Sequence, residues 1–234
     1  MGFNFGTVNK PVNNQSYLRP WNIYNDVKFE GISEPVSGDT KDGGTWKAWD
    51  ITFSSPEGIY RERIFDPNKQ AGERRELEGT DGKKRVLPSE VERIQEIFRQ
   101  IISIYAQDNM KAKLQEYVEQ GKLANIEFSD FIKIMSAILK NPKEPSEEYP
   151  IQIKLQGRKD NEGRTYARLP NAAISRDGEV FMERFLGKNL TMSAYEQTEA
   201  KKYNSAKPTN MEEVDKTPAS NGGGASVDEL LKGL

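Results

Sequence analysis

The chain has 234 residues, of which 30% are charged and 35% are hydrophobic, and its formal net charge is −2. This length fits one large domain with an insertion or a tail, and a nucleic-acid role would need local clusters of cations because the net charge is not basic. Cysteine and histidine are both absent, which excludes disulfides, Cys-based zinc sites and the commonest general base. We therefore expect no enzymatic activity, no metal and no cofactor.

The first 20 residues are rich in Asn and Gly and contain Phe3, Phe5 and Tyr17. We predict an arm that either packs these aromatic side chains onto the domain or is disordered. The segment lacks the basic and apolar regions of a signal peptide. The chain also has no apolar run of about 18 residues, so we expect no transmembrane helix and a cytoplasmic location.

Three short runs that alternate apolar and polar residues predict a three-stranded antiparallel meander over residues 24–65. The first strand covers residues 24–36, and Gly31 within it indicates a bulge or bend. The second strand covers residues 45–54 and the third covers residues 59–66. The Gly-rich segment between the first two strands is predicted to be a loop.

The alternation also predicts which face of the meander each side chain occupies. In the second strand, the core face has Lys47 at its rim and Trp49, Ile51 and Phe53 within it, whereas Trp46 points outward. The third strand is ambiguous. We place Arg61 and Arg63 on the outer face because burying their charge is costly, which turns Tyr60 and Ile64 inward.

After a charged loop, the hydrophobic period becomes helical. Ser89 and Glu92 predict a capping box that opens the first helix. A second helix is predicted over residues 110–120, and a third begins at about residue 129. The apolar stripes of these helices predict core packing, so we expect the block at about 88–141 to be an insertion with its own small core.

Strand character returns at residues 151–156 and 165–169, with a basic loop between the two runs. Further strands are predicted at 172–175 and 180–186. Residues 190–203 fit either a strand or a helix, and their pattern does not separate the two.

From residue 204 the composition changes to Ser, Lys, Pro, Thr, Asn and Gly, which predicts a flexible linker. We therefore divide the chain into a domain at 1–203 and a tail at 204–234. The tail ends in an apolar and acidic peptide that suits partner binding, and a disordered end without a role is the alternative. The candidate partner-binding residues are Asp228, Glu229, Leu230, Leu231 and Leu234.

The order of these elements predicts the fold class. Three strands, a helical block and two more strands follow the order of the OB-fold, a five-stranded Greek-key barrel. We predict a mainly β protein with an α-helical insertion between the third and fourth strands. A generic α+β domain is the alternative.

An OB barrel binds ligands on the outer face of its second and third strands and on two flanking loops. Cations and aromatic side chains at those positions suit single-stranded nucleic acid, which is held by phosphate contacts and base stacking. A solvated face with one partly exposed Trp46 is the alternative, and Asp50 and Glu62 weaken the electrostatic case. The candidate nucleic-acid-binding residues are Lys28, Lys41, Trp46, Lys47, Arg61, Arg63, Lys154, Arg158, Lys159, Arg164, Tyr166 and Arg168.

Several segments resemble the single-stranded DNA-binding proteins of tailed bacteriophages: LRPWNIYNDVKFEGI, TWKAWDITFSSPEGIYRERIFDP, the pair IQIKLQGR and RLP, and FLGKNLTMSAYE. The resemblance covers roughly residues 17–67 and 150–196. It implies an OB-fold protein of the host cytoplasm that coats single-stranded DNA during phage DNA replication and recombination. It also implies a C-terminal tail that recruits replication proteins. Such tails usually end in an aromatic residue, whereas this chain ends in Leu234.

Two other functions remain open. A virion structural or assembly protein would use an OB-like barrel for protein contacts, would bind no DNA and would oligomerise. A hydrolase would need a cleft with paired carboxylates, and no pair in the sequence has the apolar context that raises a carboxyl pKa. The oligomeric state, including a homo-oligomer, is not predicted by the sequence.

Overall fold

A computed structural model of the protein describes residues 16–40, 43–67, 73–78, 82, 84–124, 126–143, 150–160, 162–176, 179–180 and 190–205. Lys41 and the predicted partner-binding residues of the tail lie outside these ranges. In chain order the elements are β1 (Asn22–Ile32), β2 (Val36–Asp39), β3 (Thr45–Ser55), β4 (Gly58–Phe65), β5 (Arg75–Glu78), β6 (Lys84–Leu87), α1 (Glu90–Tyr105), α2 (Asp108–Glu119), α3 (Phe128–Leu139), β7 (Ile151–Lys159), β8 (Thr165–Arg168), β9 (Ile174–Arg176), β10 (Glu179–Val180) and α4 (Ala194–Ser205).

The protein is mainly β, with an open antiparallel sheet of eight strands and four helices in the described part of the chain. The strand order is β10-β9-β7-β1-β3-β2; β4 pairs with the other edge of β3, and β8 pairs with β7. β5 and β6 form a separate hairpin. No helix in the described ranges is long and apolar enough to cross a membrane.

The sheet is open because β4 and β8 are both edge strands. Within the described residues, β4 pairs only with β3 over its length and β8 pairs only with β7. The N-terminal arm touches the start of the β4 edge, where Tyr17 forms a parallel bridge with Ile59. The rest of that edge faces β8 across a groove.

The core-facing residues predicted for the second and third strands of the meander, which are β3 and β4, are confirmed. Trp49, Ile51 and Phe53 are buried in the core, as are Tyr60 and Ile64. The two arginines of β4 are exposed. The predicted irregularity at Gly31 is also confirmed, because the register of β1 with β3 shifts there and the backbone has a φ of 127°.

The three helices of the block form as predicted, and Ser89 caps α1 through a capping box with Glu92. The prediction that the block has its own core is wrong. Phe29 of β1 stacks on Tyr105 of α1 at 5.7 Å, and Trp49 of β3 meets Phe128 of α3 at 5.8 Å. Helices α1 and α3 therefore extend the core of the sheet, because their buried apolar residues belong to the same cluster as those of the strands.

Several elements differ from the predictions. The predicted loop at 37–45 contains β2, which continues the line of β1 along one edge of β3. The charged loop before α1 contains the β5–β6 hairpin. Residues 194–205, for which the sequence left strand and helix open, form a helix, and Ser193 begins it by exchanging hydrogen bonds with Glu196 in a capping box. Part of the strand predicted at 180–186 lies outside the described residues.

Candidate nucleic-acid interface

A groove of about 540 Å³ lies between the unpaired stretches of β4 and β8. Five of the predicted nucleic-acid-binding residues line it: Arg61, Arg63, Arg158, Tyr166 and Arg168. They come from strands about 100 residues apart in the chain, and the fold brings them to one place. These five residues therefore share one groove along the edge of β4.

The lining combines cations with aromatic rings. Five arginines and two glutamates line the groove, so its net charge is positive. Tyr17, Phe65 and Tyr166 supply exposed rings, and Phe65 is 53% exposed. Arginines with nearby aromatic faces are the pair of devices that hold unpaired nucleotides.

The floor of the groove is a buried polar network centred on Arg93 of α1. Arg93 Nη2 lies 2.7 Å from Glu62 Oε1 of β4, and Arg93 Nη1 donates to the Leu169 carbonyl at 2.8 Å. The Leu169 N–H in turn donates to Glu62 Oε2 at 2.9 Å, and the Tyr60 hydroxyl donates to the same carboxylate. Side chains thereby join β4 to the end of β8 where strand pairing is absent.

Burial sets the ionisation of this floor. Burial, followed by the charge of Glu62, raises the pKa of the Tyr60 hydroxyl well above its ordinary value. Burial alone would lower the pKa of Arg93, but the charges of Glu62 and Glu90 outweigh it and the pKa is raised. Both raised pKa values favour the protonated forms, so Tyr60 is neutral and Arg93 is charged in the floor of the groove.

Arg168 occupies the β8 side of the groove and forms an ion pair with Glu90. Burial, then the charge of the neighbouring Arg93, lowers the pKa of Arg168. Burial alone would raise the pKa of Glu90, but the hydrogen bond and charge of Arg93 and the charge of Arg168 lower it. Arg168 is therefore already partly neutralised by a carboxylate.

Among the cations that line the groove, Arg61 and Arg158 are the most available to a ligand. Both side chains are exposed, and neither forms an ion pair with any residue of the described chain. Arg63 differs because its guanidinium binds both carboxylate oxygens of Asp50, at 2.8 and 2.9 Å. That pair neutralises Asp50, the acid that weakened the electrostatic case for this face.

Trp46 lies beyond the groove on the outer face of β3. Its indole packs on Gly38 of β2, where a Cβ would come within 2.7 Å of the ring. Its other neighbour is Phe65, which meets it edge to face at 5.7 Å. Trp46 and Phe65 together extend the aromatic surface from the groove along β4.

The remaining predicted cations lie outside the groove. Lys28 is opposite Ser54 in the β1–β3 ladder, and Lys47 lies over the Trp49 ring at 5.2 Å, on the core side of β3. Lys159 is exposed at the end of β7 and has no ion pair among the described residues. Lys159 therefore follows the groove-lining Arg158 directly in β7, whereas Lys28 and Lys47 belong to β1 and β3.

Two further predicted cations are engaged in local contacts. Lys154 lies 3.2 Å from the buried carboxylate of Glu196 beneath α4. Arg164 binds Asp160 at 2.8 Å and Glu162 at 3.0 Å within the turn between β7 and β8. We leave both out of the proposed interface because their charges already have partners.

The sequence reasoning did not identify Tyr17, Phe65 or Arg93. Phe65 could have been found, because it alternates with Arg61 on β4 and must share its outward face. Arg93 had no signal, since a charged residue on an amphipathic helix is normally solvated. Its burial follows from the tertiary contact with Glu62.

No family model, curated protein or solved structure was found to match the chain. Within the described ranges, no three Asp or Glu side chains are grouped so that they could hold a metal ion.

Proposed function

We propose that the protein binds single-stranded DNA without sequence preference along the groove between β4 and β8. The observation that carries the proposal is the convergence of five arginines and three exposed aromatic rings in one groove. Phosphates would contact Arg61 and Arg158, and bases would stack on Tyr166, Phe65 and Trp46, at about 1–3 kcal/mol per base. We propose that this binding serves phage DNA replication and recombination.

A partly open OB barrel is the architecture that we propose for the site. In an OB-fold the first strand pairs with the second and fourth, the second with the third, and the fourth with the fifth. The pairs β1–β3, β1–β7, β3–β4 and β7–β8 follow this pattern. The pair that would close a barrel is β4 with β8, and the groove lies between these two strands.

Binding should depend moderately on salt. Each phosphate neutralised on a single strand contributes a slope of roughly −0.7 to the dependence of log affinity on log salt. Arg61, Arg158 and Lys159, which have no ion pair among the described residues and lie in or beside the groove, would together give a slope of roughly −2. A much steeper slope would place the phosphates on other cations.

The test is a titration of fluorescently labelled oligo-dT at two salt concentrations, with a duplex of equal length as the control. We expect binding to oligo-dT that weakens with salt and exceeds binding to the duplex. Absence of binding at low salt would overturn the proposal. If the chain then forms oligomers, the result would favour a structural or assembly role.

A further inference from the structure

A second aromatic cluster lies outside the groove, where the N-terminal arm enters β1. Trp21 has a φ of 62°, a left-handed backbone conformation that is uncommon for any residue except glycine. Its indole lies against Gly157 of β7, where a Cβ would come within 2.3 Å of the ring. This conformation is energetically costly, so the contacts around the residue must hold it in place. Non-glycine residues of this kind are concentrated at active sites and ligand-binding sites.

Tyr195 of α4 completes the cluster. Its ring meets Trp21 edge to face, with centroids 5.8 Å apart and planes at 85°. The tyrosine is nevertheless 66% exposed, the highest value among the exposed large hydrophobic side chains of the described residues. An aromatic ring held in place with a free face is suited to stacking on a base.

Contacts next to Tyr195 hold α4 on the sheet without help from its ring. The buried carboxylate of Glu196 pairs with Lys154 at 3.2 Å and accepts a hydrogen bond from the Gln156 amide. The Ser193 N–H also donates to this carboxylate at 2.7 Å. Since these polar contacts anchor the helix, the exposed ring of Tyr195 is not needed to explain how α4 is attached.

Two residues that line the groove are chain neighbours of the cluster. Pro20, which lines the groove, precedes Trp21, and Arg158, which also lines it, follows Gly157. Lys159 is the next residue of β7; it is exposed and without an ion pair among the described residues. A strand leaving the groove past Arg158 would therefore meet a cation and two aromatic rings.

We propose that Trp21 and Tyr195 form a second base-stacking subsite for the same single-stranded DNA, reached from the groove past Arg158 and Lys159. This inference rests on the proposed function and extends it. It makes the interface bipartite: the groove with Trp46 and Phe65 takes one part of the strand, and the Trp21–Tyr195 subsite takes the next. A short oligonucleotide would fill only the groove.

The first test compares oligo-dT of about 4 and about 16 nucleotides, the range of OB-fold site sizes. We expect Tyr195→Ala to weaken binding of the long oligonucleotide by at least about fivefold, the equivalent of ~1 kcal/mol for one stacked base, and to leave the short one unchanged. Tyr195→Phe should bind both as the unmodified protein does. An equal loss at both lengths, or no loss, would overturn the subsite.

The second test does not depend on Tyr195→Ala folding normally. The chain has three tryptophans, and Trp49 is buried in the core, so the emission change of a Trp46→Phe protein on binding reports Trp21. We expect the long oligonucleotide to quench this emission, and the Trp46→Phe, Trp21→Phe double variant to lose the quenching. Binding of both oligonucleotides without quenching would overturn the subsite and leave the proposed function intact. If the unmodified protein bound neither oligonucleotide, both the subsite and the proposed function would be overturned.

Discussion

Individual arginines in this protein differ in how free they are to meet a ligand. Arg61 and Arg158 have no ion pair among the described residues, whereas Arg63 binds Asp50 and Arg164 binds Asp160. A guanidinium that is paired with a carboxylate must break that ion pair before it can contact a phosphate. Breaking the pair reduces the binding free energy that the phosphate contact contributes. Counting cations in the sequence therefore overestimates the electrostatic contribution to binding.

Arg61→Gln tests this ranking. We expect several-fold weaker binding of oligo-dT at low salt and a salt slope that is shallower by about 0.7, because one phosphate contact is lost. The matched control is Arg164→Gln, which removes the same charge from a guanidinium paired with Asp160 and Glu162. The dissociation constant and the salt slope of each variant are measured by anisotropy titrations at several salt concentrations. Equal effects of the two substitutions would contradict the ranking.

At the scale of elements, one buried carboxylate joins α4 to the sheet. Glu196 is 3% exposed and accepts hydrogen bonds from β7 and from its own helix cap. Burial alone would raise its pKa, but the hydrogen bonds of Gln156 and Ser193 and the charge of Lys154 outweigh burial, so the pKa is lowered. The attachment of α4, and with it the position of Tyr195, should therefore depend on pH.

The sign of that dependence follows from the lowered pKa. A carboxyl that is more acidic in the folded than in the unfolded chain stabilises the fold above its unfolded pKa, about 4.3 for Glu, and loses this contribution as the pH falls through the folded value. We expect the free energy of unfolding of the unmodified protein to exceed that of Glu196→Gln near neutral pH. The difference should shrink below about pH 4.3.

Chemical denaturation at several pH values measures this difference. The control is Glu199→Gln, which removes a carboxylate from the same helix, where it pairs with the exposed Lys202. Surface pairs of this kind contribute at most about 1 kcal/mol, so the control should change stability little. A Glu196→Gln difference that does not vary with pH would show that the carboxylate does not anchor α4.

For the whole molecule, the main feature is how β4 and β8, which do not pair with each other, are joined by side chains. The Arg93 network replaces strand pairing between β4 and β8 with side-chain hydrogen bonds that cross the floor of the groove. Because Arg93 belongs to α1, the helical block takes part in shaping the proposed binding groove. This gives the insertion a role that the sequence left open.

Arg93→Met tests the network. The substitution leaves Glu62 buried without its cation, and breaking a buried pair in this way costs about 3–5 kcal/mol of folding free energy. Pairing it with Glu62→Gln should recover part of the loss, because the remaining amide carries no charge. Denaturant unfolding gives the stabilities, and amide hydrogen exchange should show faster exchange in β4 and β8. A loss below about 1 kcal/mol would mean that the network does not hold the strands together.

Local pattern in the sequence predicted much of the fold. The alternation of β3 placed Trp49, Ile51 and Phe53 in the core, and the cost of burying charge turned Arg61 and Arg63 outward. These features depend on neighbours within a few residues, so a single sequence contains them. The capping box at Ser89 is local for the same reason, because a helix cap involves only its first turn.

Contacts between distant segments were decided by the tertiary structure alone. The open edges of β4 and β8 depend on which strands pair across the helical block that separates them in the chain. Long-range ion pairs then separated cations that looked equivalent: Lys154 is held beneath α4, whereas Arg158 lines the groove. The sequence alone determined which residues are charged, aromatic or turn-forming. Only the packing of segments about 100 residues apart determined which of them share a surface and which are already neutralised.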